Sequence, residues 1–251
     1  MPNKIALITG ASRGLGRAAA LALAAKGVTV IATYLSNKTE ADATAAAIAA
    51  HGGKAHFLQL DTGAVASFPA FAAALRKVLQ AEGRDRFDFL VNNAGIGHYA
   101  PFAETREADF DQLMNIHFKG VFFLTQTLLP LIEDGGRIVN LSSGLTRFSL
   151  PGSSAYAAMK GAVEVLTRYL AKELGPRGIA VNTIAPGAIE TDFGGGRVRD
   201  DKNLNAFVAG VTALGRAGLP EDIGGAVAAL LSEDSRWITA QRIEVSGGMF
   251  V

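Results

Sequence analysis

The chain has no cysteine. Disulfides, a thiolate nucleophile and a thiolate metal site are therefore excluded, and the absence fits a cytoplasmic protein. Proline is sparse, at 8 in 251 residues, and no stretch concentrates it. Nothing reads as a linker, a low-complexity segment or a short-period repeat. Neither sign of charge dominates, with 24 basic against 23 acidic residues. No basic stripe points to nucleic acid or an anionic membrane. Long hydrophobic runs are missing too. The most apolar helical stretch, 121–132, is broken by Thr125, Gln126, Thr127 and Pro130, and it is too short to cross a bilayer. The opening Lys4-Ile5-Ala6-Leu7-Ile8 reads as a strand, which leaves no room for a signal peptide.

What is present is an apolar interior, with 49% hydrophobic residues. That suffices for one large α/β domain or two small ones. Strands are expected at 4–9, 28–33, 55–60, 87–91, 137–141, 179–183 and 242–245. Helices are expected at 15–26, 40–51, 67–81, 109–131, 155–174 and 220–231, with Gly27 and Gly52-Gly53 closing the first two. Such alternation predicts a parallel sheet with helices on both faces. The strands are mostly continuous apolar runs, as a sheet covered on both sides requires. The longest irregular stretch, 184–205, is the expected place for a functional lid or a disordered segment. The lid is placed at 190–215, hinged on Gly194-Gly195-Gly196.

The first strand runs into Thr9-Gly10-Ala11-Ser12-Arg13-Gly14-Leu15-Gly16. A strand–helix turn of this kind sets backbone N–H groups at a helix N-terminus, which is an anion site. Gly10 suits the tight turn, Gly14 a close approach of backbone to ligand, and Gly16 the packing of helix on strand. The spacing is Gly-x-x-x-Gly-x-Gly rather than the general dinucleotide fingerprint. Cofactor choice is decided at the end of the second strand, where an acid would bind a ribose 2′-OH and repel a 2′-phosphate. Here the residues are Thr33-Tyr34-Leu35-Ser36-Asn37-Lys38, with no acid until Glu40. Arg13 offers a fork of donors to a phosphate. NADP(H) is therefore favoured, with NAD(H) possible.

Tyr156-x-x-x-Lys160 puts a phenol and an ammonium on one helix face. A nearby cation favours phenolate and lowers the pKa of a tyrosine. Ser142 and Ser143 both stand after the fifth strand as candidates to orient a substrate oxygen. His98 and His117 lack partners at metal or triad spacing and read as structural or pocket-rim residues. Glu133-Asp134 before Gly135 reads as a solvated turn. No metal site is expected.

In this order and spacing the motifs resemble the single-domain short-chain dehydrogenases/reductases. The matching pieces are Thr9-Gly10-x-x-x-Gly14-x-Gly16, Asp61, Asn92-Asn93-Ala94-Gly95, Asn115, Ser143, Tyr156-x-x-x-Lys160 and Pro186-Gly187-x-Ile189-x-Thr191. Gly10-Ala11-Ser12-Arg13-Gly14 and the ending Gly247-Gly248-Met249 are closest in style to 3-oxoacyl-(acyl-carrier-protein) reductases. The resemblance implies a single domain over 1–251 with a Rossmann-type, doubly wound parallel β-sheet. It implies that Tyr156 exchanges a proton with a carbonyl or secondary alcohol while hydride moves to or from a nicotinamide. It favours Ser143 over Ser142 as the oxygen-orienting donor. Lys160 would reach the nicotinamide ribose, and Asn115 would hold a water that relays protons toward Lys160. Cofactor contacts are implied at Gly10, Ser12, Arg13, Gly14, Leu15, Gly16, Tyr34, Ser36, Asp61, Thr62, Asn93, Ala94, Gly95, Tyr156, Lys160, Pro186, Gly187, Ile189 and Thr191. Ser246 stands where the family usually has Asp, which is expected to weaken a C-terminal packing contact.

The pocket walls are expected at Gly144, Leu145, Phe148, Leu150, Ala188 and Phe193. A carrier-bound acyl substrate would want basic residues at the mouth. Arg137 and Arg177 are candidates, opposed by Glu133-Asp134. A small ketone, aldehyde, sugar or other alcohol is therefore preferred. A 3-oxoacyl-(acyl-carrier-protein) reductase and an NAD(H)-dependent alcohol or sugar dehydrogenase remain the alternatives. A regulator with the chemistry lost is disfavoured by the intact Ser143, Tyr156 and Lys160. A lyase or epimerase is disfavoured by the short chain. The resemblance also implies a homotetramer built on the two long helices, with 247–251 at a second contact.

Overall fold

Mostly apolar strands that can be covered on both faces set the architecture. In the computed structural model, which describes residues 3–251, these strands are β1 (Ile5–Ile8), β2 (Thr29–Tyr34), β3 (Ala55–Gln59), β4 (Phe87–Asn92), β5 (Ile132–Leu141), β6 (Ala180–Pro186) and β7 (Arg242–Val245). They form one sheet in the order β3-β2-β1-β4-β5-β6-β7, and every neighbouring pair is parallel. The winding reverses between β1 and β4. A crevice therefore opens there, outside the C-terminal ends of the strands.

Helices α1 (Gly14–Ala24), α2 (Lys38–Ala50) and α9 (Pro220–Leu230) cover one face. Their Ala19, Ala20, Leu23, Ile48, Ile223 and Val227 pack on Ala6, Ile8 and Val30. The other face carries α3 (Phe68–Ala81), α5 (Gly120–Leu128) and α6 (Ser154–Leu174), through Phe68, Phe71, Leu75, Leu124, Leu128 and Leu174. A buried polar ladder fixes α5 and α6 against the sheet. Asn92 Nδ2 donates to Thr125 Oγ1 at 3.1 Å and to Asn140 Oδ1 at 2.8 Å. Asn140 Nδ2 donates to Thr167 Oγ1 at 2.9 Å, and Thr183 Oγ1 donates to the same oxygen at 2.8 Å. Buried polar groups paired in this way cost little and set one register for α6.

Two expected elements differ. The long helix at 109–131 is broken into α4 (Glu107–Met114), a π-helical turn (Asn115–Lys119), α5, and a 3-10 turn at Leu129–Leu131 containing Pro130. Gly120 closes the π turn because a Cβ there would collide with the Thr62 carbonyl. The extra residue of a π turn rotates everything beyond it, a device common at functional sites. The stretch after β6 is not irregular. It holds a 3-10 turn (Phe193–Gly196), a single turn α7 (Arg197–Asp200) and α8 (Lys202–Gly210). Gly194, Gly195 and Gly196 all have positive φ, at 62°, 80° and 76°, so a backbone open only to glycine precedes the helices. Asp201 caps α8, accepting from Asn203 N at 2.9 Å and Leu204 N at 3.1 Å.

Candidate active site

The glycine turn sits at the crevice, and its shape is held from behind. Thr9 Oγ1 accepts from Asn93 N at 2.9 Å and Ala94 N at 3.0 Å. Asn93 Nδ2 donates to the carbonyls of Thr9 at 2.8 Å and Gly10 at 3.0 Å. Gly10 has φ 65°, and a Cβ there would meet Ala94 Cα at 2.9 Å. Gly16 is needed for a different reason from the one expected: its Cβ would strike the Gly10 carbonyl, with Asn93 Nδ2 at 2.5 Å. It makes room for the turn itself rather than for a strand. No side chain caps the N-terminus of α1, so its first N–H groups face the crevice with the helix dipole behind them.

One cavity of about 640 Å³ runs from this turn to the catalytic candidates. Its size is in the range of a small-molecule site. Gly10, Ser12, Arg13, Gly14, Leu15, Ser36, Asp61, Thr62, Asn93, Ala94, Gly95, Pro186, Gly187, Ile189 and Thr191 line it together with Ser143, Tyr156 and Lys160. Among the expected contacts, Gly16, Tyr34 and Asn115 are not in the lining. Gly16 lies behind the turn. Tyr34 ends β2, and its neighbours Thr33, Leu35, Ser36 and Asn37 take the cavity side. Asn115 opens the π turn and is not in the lining, where Ile116 and His117 stand.

The end of β2 carries no carboxylate into the cavity. Thr33 is buried, and its Oγ1 accepts from Gly10 N at 3.0 Å. Lys38 is committed to Asp42 at 2.7 Å along α2. Arg13 is exposed and stands 3.7 Å from Asp192, a loose pair that leaves its guanidinium available. Uncapped N–H groups, a glycine cradle and an exposed, loosely paired guanidinium together fit a dinucleotide with a phosphate on its adenosine side.

Tyr156 and Lys160 sit one turn apart on α6. Lys160 Nζ donates to the Leu141 carbonyl at 2.7 Å and stands over the Tyr156 ring, 5.7 Å from its centroid. Burial pushes the Tyr156 phenol above its ordinary value, against a hydrogen bond with Ser143 that pulls it down. The Lys160 ammonium, expected to favour the phenolate, lies over the ring face and is turned toward a carbonyl. Burial brings Lys160 itself down to about 7. Ser142 is spoken for, since its Oγ donates to Glu164 Oε1 at 2.7 Å. Ser143 is the serine in the cavity that reaches the tyrosine.

His117, read from the sequence as a structural or pocket-rim residue, stands at the cavity. It is 1% exposed, lines the cavity and meets the Tyr156 ring edge-on at 5.1 Å between centroids. Burial, and then the charge of Lys160, push its pKa down to about 3. The sequence left open whether this histidine is structural or at the pocket rim. His98 stays out of the lining, 3.6 Å from Asp109, and the described residues hold no cluster of metal-ligating side chains.

Leu145, Phe148, Leu150, Ala188 and Phe193 form the expected wall, and Ile96, Val198 and Met249 add to it. Gly144 backs the wall rather than lining it, since a Cβ there would press on Phe148 Cε1 at 2.8 Å. Phe193 packs on Tyr156 at 5.8 Å and Phe148 on Phe250 at 4.8 Å. Ser246, at the position where a weaker C-terminal contact was expected, is itself hydrogen-bonded. Its Oγ donates to Glu244 Oε1 at 2.8 Å and accepts from Met249 N at 3.2 Å. Arg137 and Arg177 lie at the opposite end of the sheet. Arg137 is buried beside Glu233, and Arg177 holds Asp134 and the carbonyls of Leu129 and Ile132.

A doubly wound sheet with a glycine turn, a buried lysine and a half-buried tyrosine and serine at one crevice defines a class of nucleotide-dependent oxidoreductases. The chain belongs to the short-chain dehydrogenase/reductase family. The family model described as "Enoyl-(Acyl carrier protein) reductase" matches residues 10–250. The chain is 37% identical over 250 residues to a 3-oxoacyl-[acyl-carrier-protein] reductase of Synechocystis, covering 98% of this chain and 96% of the relative. It is similar to the promiscuous reductase LugOII, which catalyses keto-reduction at C1 during lugdunomycin biosynthesis. That structure has TM-score 0.95 and 37% identity, covering 100% of this chain and 99% of the other. It is also similar to the angucycline C-6 ketoreductase LanV with bound NADP. Here the TM-score is 0.94 and the identity 35%, over 99% of this chain and 96% of the other.

Proposed function

We propose that the protein is an NADP(H)-dependent carbonyl reductase acting on an apolar, ring-bearing ketone. The observation that carries the reading is the convergence of Ser143, Tyr156 and Lys160 in the cavity that the glycine turn opens. The cofactor supplies the hydride. Arg13 and the uncapped start of α1 bind its phosphates. Asp61 and the Asn93-Ala94-Gly95 backbone hold its adenosine side, and Ile189 and Thr191 its carboxamide end. Thr33, Leu35, Ser36 and Asn37 raise no carboxylate against a 2′-phosphate, and the similar ketoreductase LanV has NADP bound.

Tyr156, kept as a neutral phenol by burial, gives its proton to the carbonyl oxygen as the carbon is reduced. Ser143 donates a hydrogen bond to the same oxygen and fixes its direction. Lys160 holds the ribose hydroxyls with the donors that Leu141 leaves free. Phe148 and Phe193 flank the place where the carbonyl must lie. Rings suit these walls better than a flexible acyl thioester does, and Arg137 and Arg177 are too far away to receive an acidic carrier. The 193–210 segment covers this pocket as a lid hinged at its glycines.

The test is reduction of a panel of aliphatic, alicyclic and aromatic ketones, and of an acyl-carrier thioester, with NADPH and NADH in parallel. Aromatic ketones with NADPH should give the highest kcat/KM. Preference for NADH, or for the carrier thioester, overturns the corresponding part. Tyr156→Phe should lower kcat about 10²- to 10⁴-fold with NADPH binding retained, and an undiminished kcat would remove Tyr156 from its role.

A further inference from the structure

We infer that His117 is a positioning residue: its Nδ1 accepts a hydrogen bond from a water beside Lys160 and so aims the supply of protons to Tyr156. The inference rests on the carbonyl-reductase reading and concerns a side chain which that reading leaves without a task.

The ring nitrogens are not equivalent. Nε2 lies 2.8 Å from the Ile96 carbonyl and 3.2 Å from the Ile96 N–H. The shorter contact needs a donor, which puts the proton on Nε2. Nδ1 is then a lone pair, and it is buried with no partner. An orphaned buried acceptor is costly and calls for an explanation.

The ring occupies a prepared place. Gly95 is part of the reason, since a Cβ there would meet His117 Cε1 at 2.6 Å and Nδ1 at 3.2 Å. From α6 the groups facing the ring are Tyr156, edge to face, and Lys160, whose charge bears on it. From the segment after β4 they are the backbones of Gly95 and Ile96. No carboxylate acts on it. Burial first, and the Lys160 ammonium where it is charged, push the imidazole toward its neutral form.

These facts decide what the ring can do. It does not carry a proton, because it stays uncharged and its Nε2–H points at a carbonyl that cannot take one. It can hold an O–H aimed at Nδ1. Lys160 Nζ spends one N–H on Leu141, and a water between the two groups gains a donor and an acceptor, enough to fix it. Each turnover removes one proton from Tyr156 to the new alcohol. The replacement comes from solvent past Lys160. A water that gives one O–H to Nδ1 keeps its lone pair on the ammonium, and its second hydrogen remains free to move.

Two variants separate the acceptor from the ring. His117→Phe keeps the edge contact on Tyr156 and removes the acceptor; His117→Asn restores an acceptor without the ring. In the Phe variant, kcat should fall about tenfold to a hundredfold, the scale of a misplaced reacting group. NADPH affinity, read by fluorescence, should be unchanged, and the solvent isotope effect on kcat should grow. Added imidazole should restore part of the rate. The Asn variant should recover most of it. Nitrogen-15 spectra of the wild-type ring should show the proton on Nε2 with no titration between about pH 5 and 8. A Phe variant with wild-type kcat and isotope effect overturns the inference, as does an Asn variant as slow as Phe. So does a ring that titrates or carries its proton on Nδ1, whatever the activity. Wild-type protein that reduces no ketone sinks the reductase reading instead, and the ring spectra tell the two failures apart.

Discussion

Lys160 is the residue whose charge the fold makes negotiable. Burial lowers its pKa from 10.5 to about 7, so the ammonium is complete below that value and is lost as pH rises through it. On the proposed reading, carbonyl reduction would need the charged form, both to hold ribose hydroxyls and to return a proton to Tyr156. The expected outcome is that kcat/KM for reduction, which reports the free enzyme, is flat below about pH 7 and falls about tenfold per pH unit above it. A profile flat to pH 9 would show that Lys160 keeps its charge. Tyr156 and Lys160 were legible in the sequence because helical spacing puts them on one face, whereas the strand end left Ser142 and Ser143 both open and only the resemblance favoured Ser143. Asn115 came from the resemblance, and His117 was read only as structural or pocket-rim. Both lie in a π turn followed by Gly120, where a Cβ would collide with the Thr62 carbonyl, a long-range contact with no local trace.

Elements were legible where periodicity was regular and caps were strong. Apart from β5, which starts at Ile132 and takes in the Glu133-Asp134 expected as a turn, the strands and α1, α2, α3, α6 and α9 fall close to their expected bounds, because apolar runs mark them. The helices after Phe193 were missed because three glycines and a charged run, Arg197-Val198-Arg199-Asp200, mask a helix that Asp201 then restarts by capping. Helix α9 offers a test of packing at this scale. A Cβ on Gly224 would meet the Ala18 carbonyl carbon and oxygen at 2.6 Å, whereas nothing lies within 4 Å of one on Gly225. Gly224→Ala should force α9 off α1 and destabilise the protein by about 1–3 kcal/mol. Gly225→Ala relieves only a helix-interior glycine and should stabilise by about 0.5–1 kcal/mol. Thermal melts of the two variants should move in opposite directions, and equal shifts would refute the close approach of α9 to α1.

For the whole molecule, one apolar face has no work to do in a monomer. Phe122 is 39% exposed, Val165 45% and Tyr169 65%, and with Phe118, Leu166 and Leu170 they line a groove between α5 and α6. The same helices present their inner sides to the sheet, where the buried Asn92, Asn140 and Thr167 ladder holds them. Their outer sides are therefore rigid, and a rigid exposed apolar patch marks an association surface. The homotetramer implied by the resemblance would use this face, with the aromatic rings of one copy meeting those of another. Association here would bear on the site, because α6 carries Tyr156 and Lys160 on the turns before Val165. The expected result by light scattering is a particle of four 26.1 kDa chains. Val165→Glu with Tyr169→Glu places like charges on both sides of the contact and should give smaller species with weakened turnover. A wild-type monomer at micromolar concentration would refute the assembly. A charged double variant that stays tetrameric would move the contact off these helices and toward the C-terminal segment, where Met249 and Phe250 close the substrate wall.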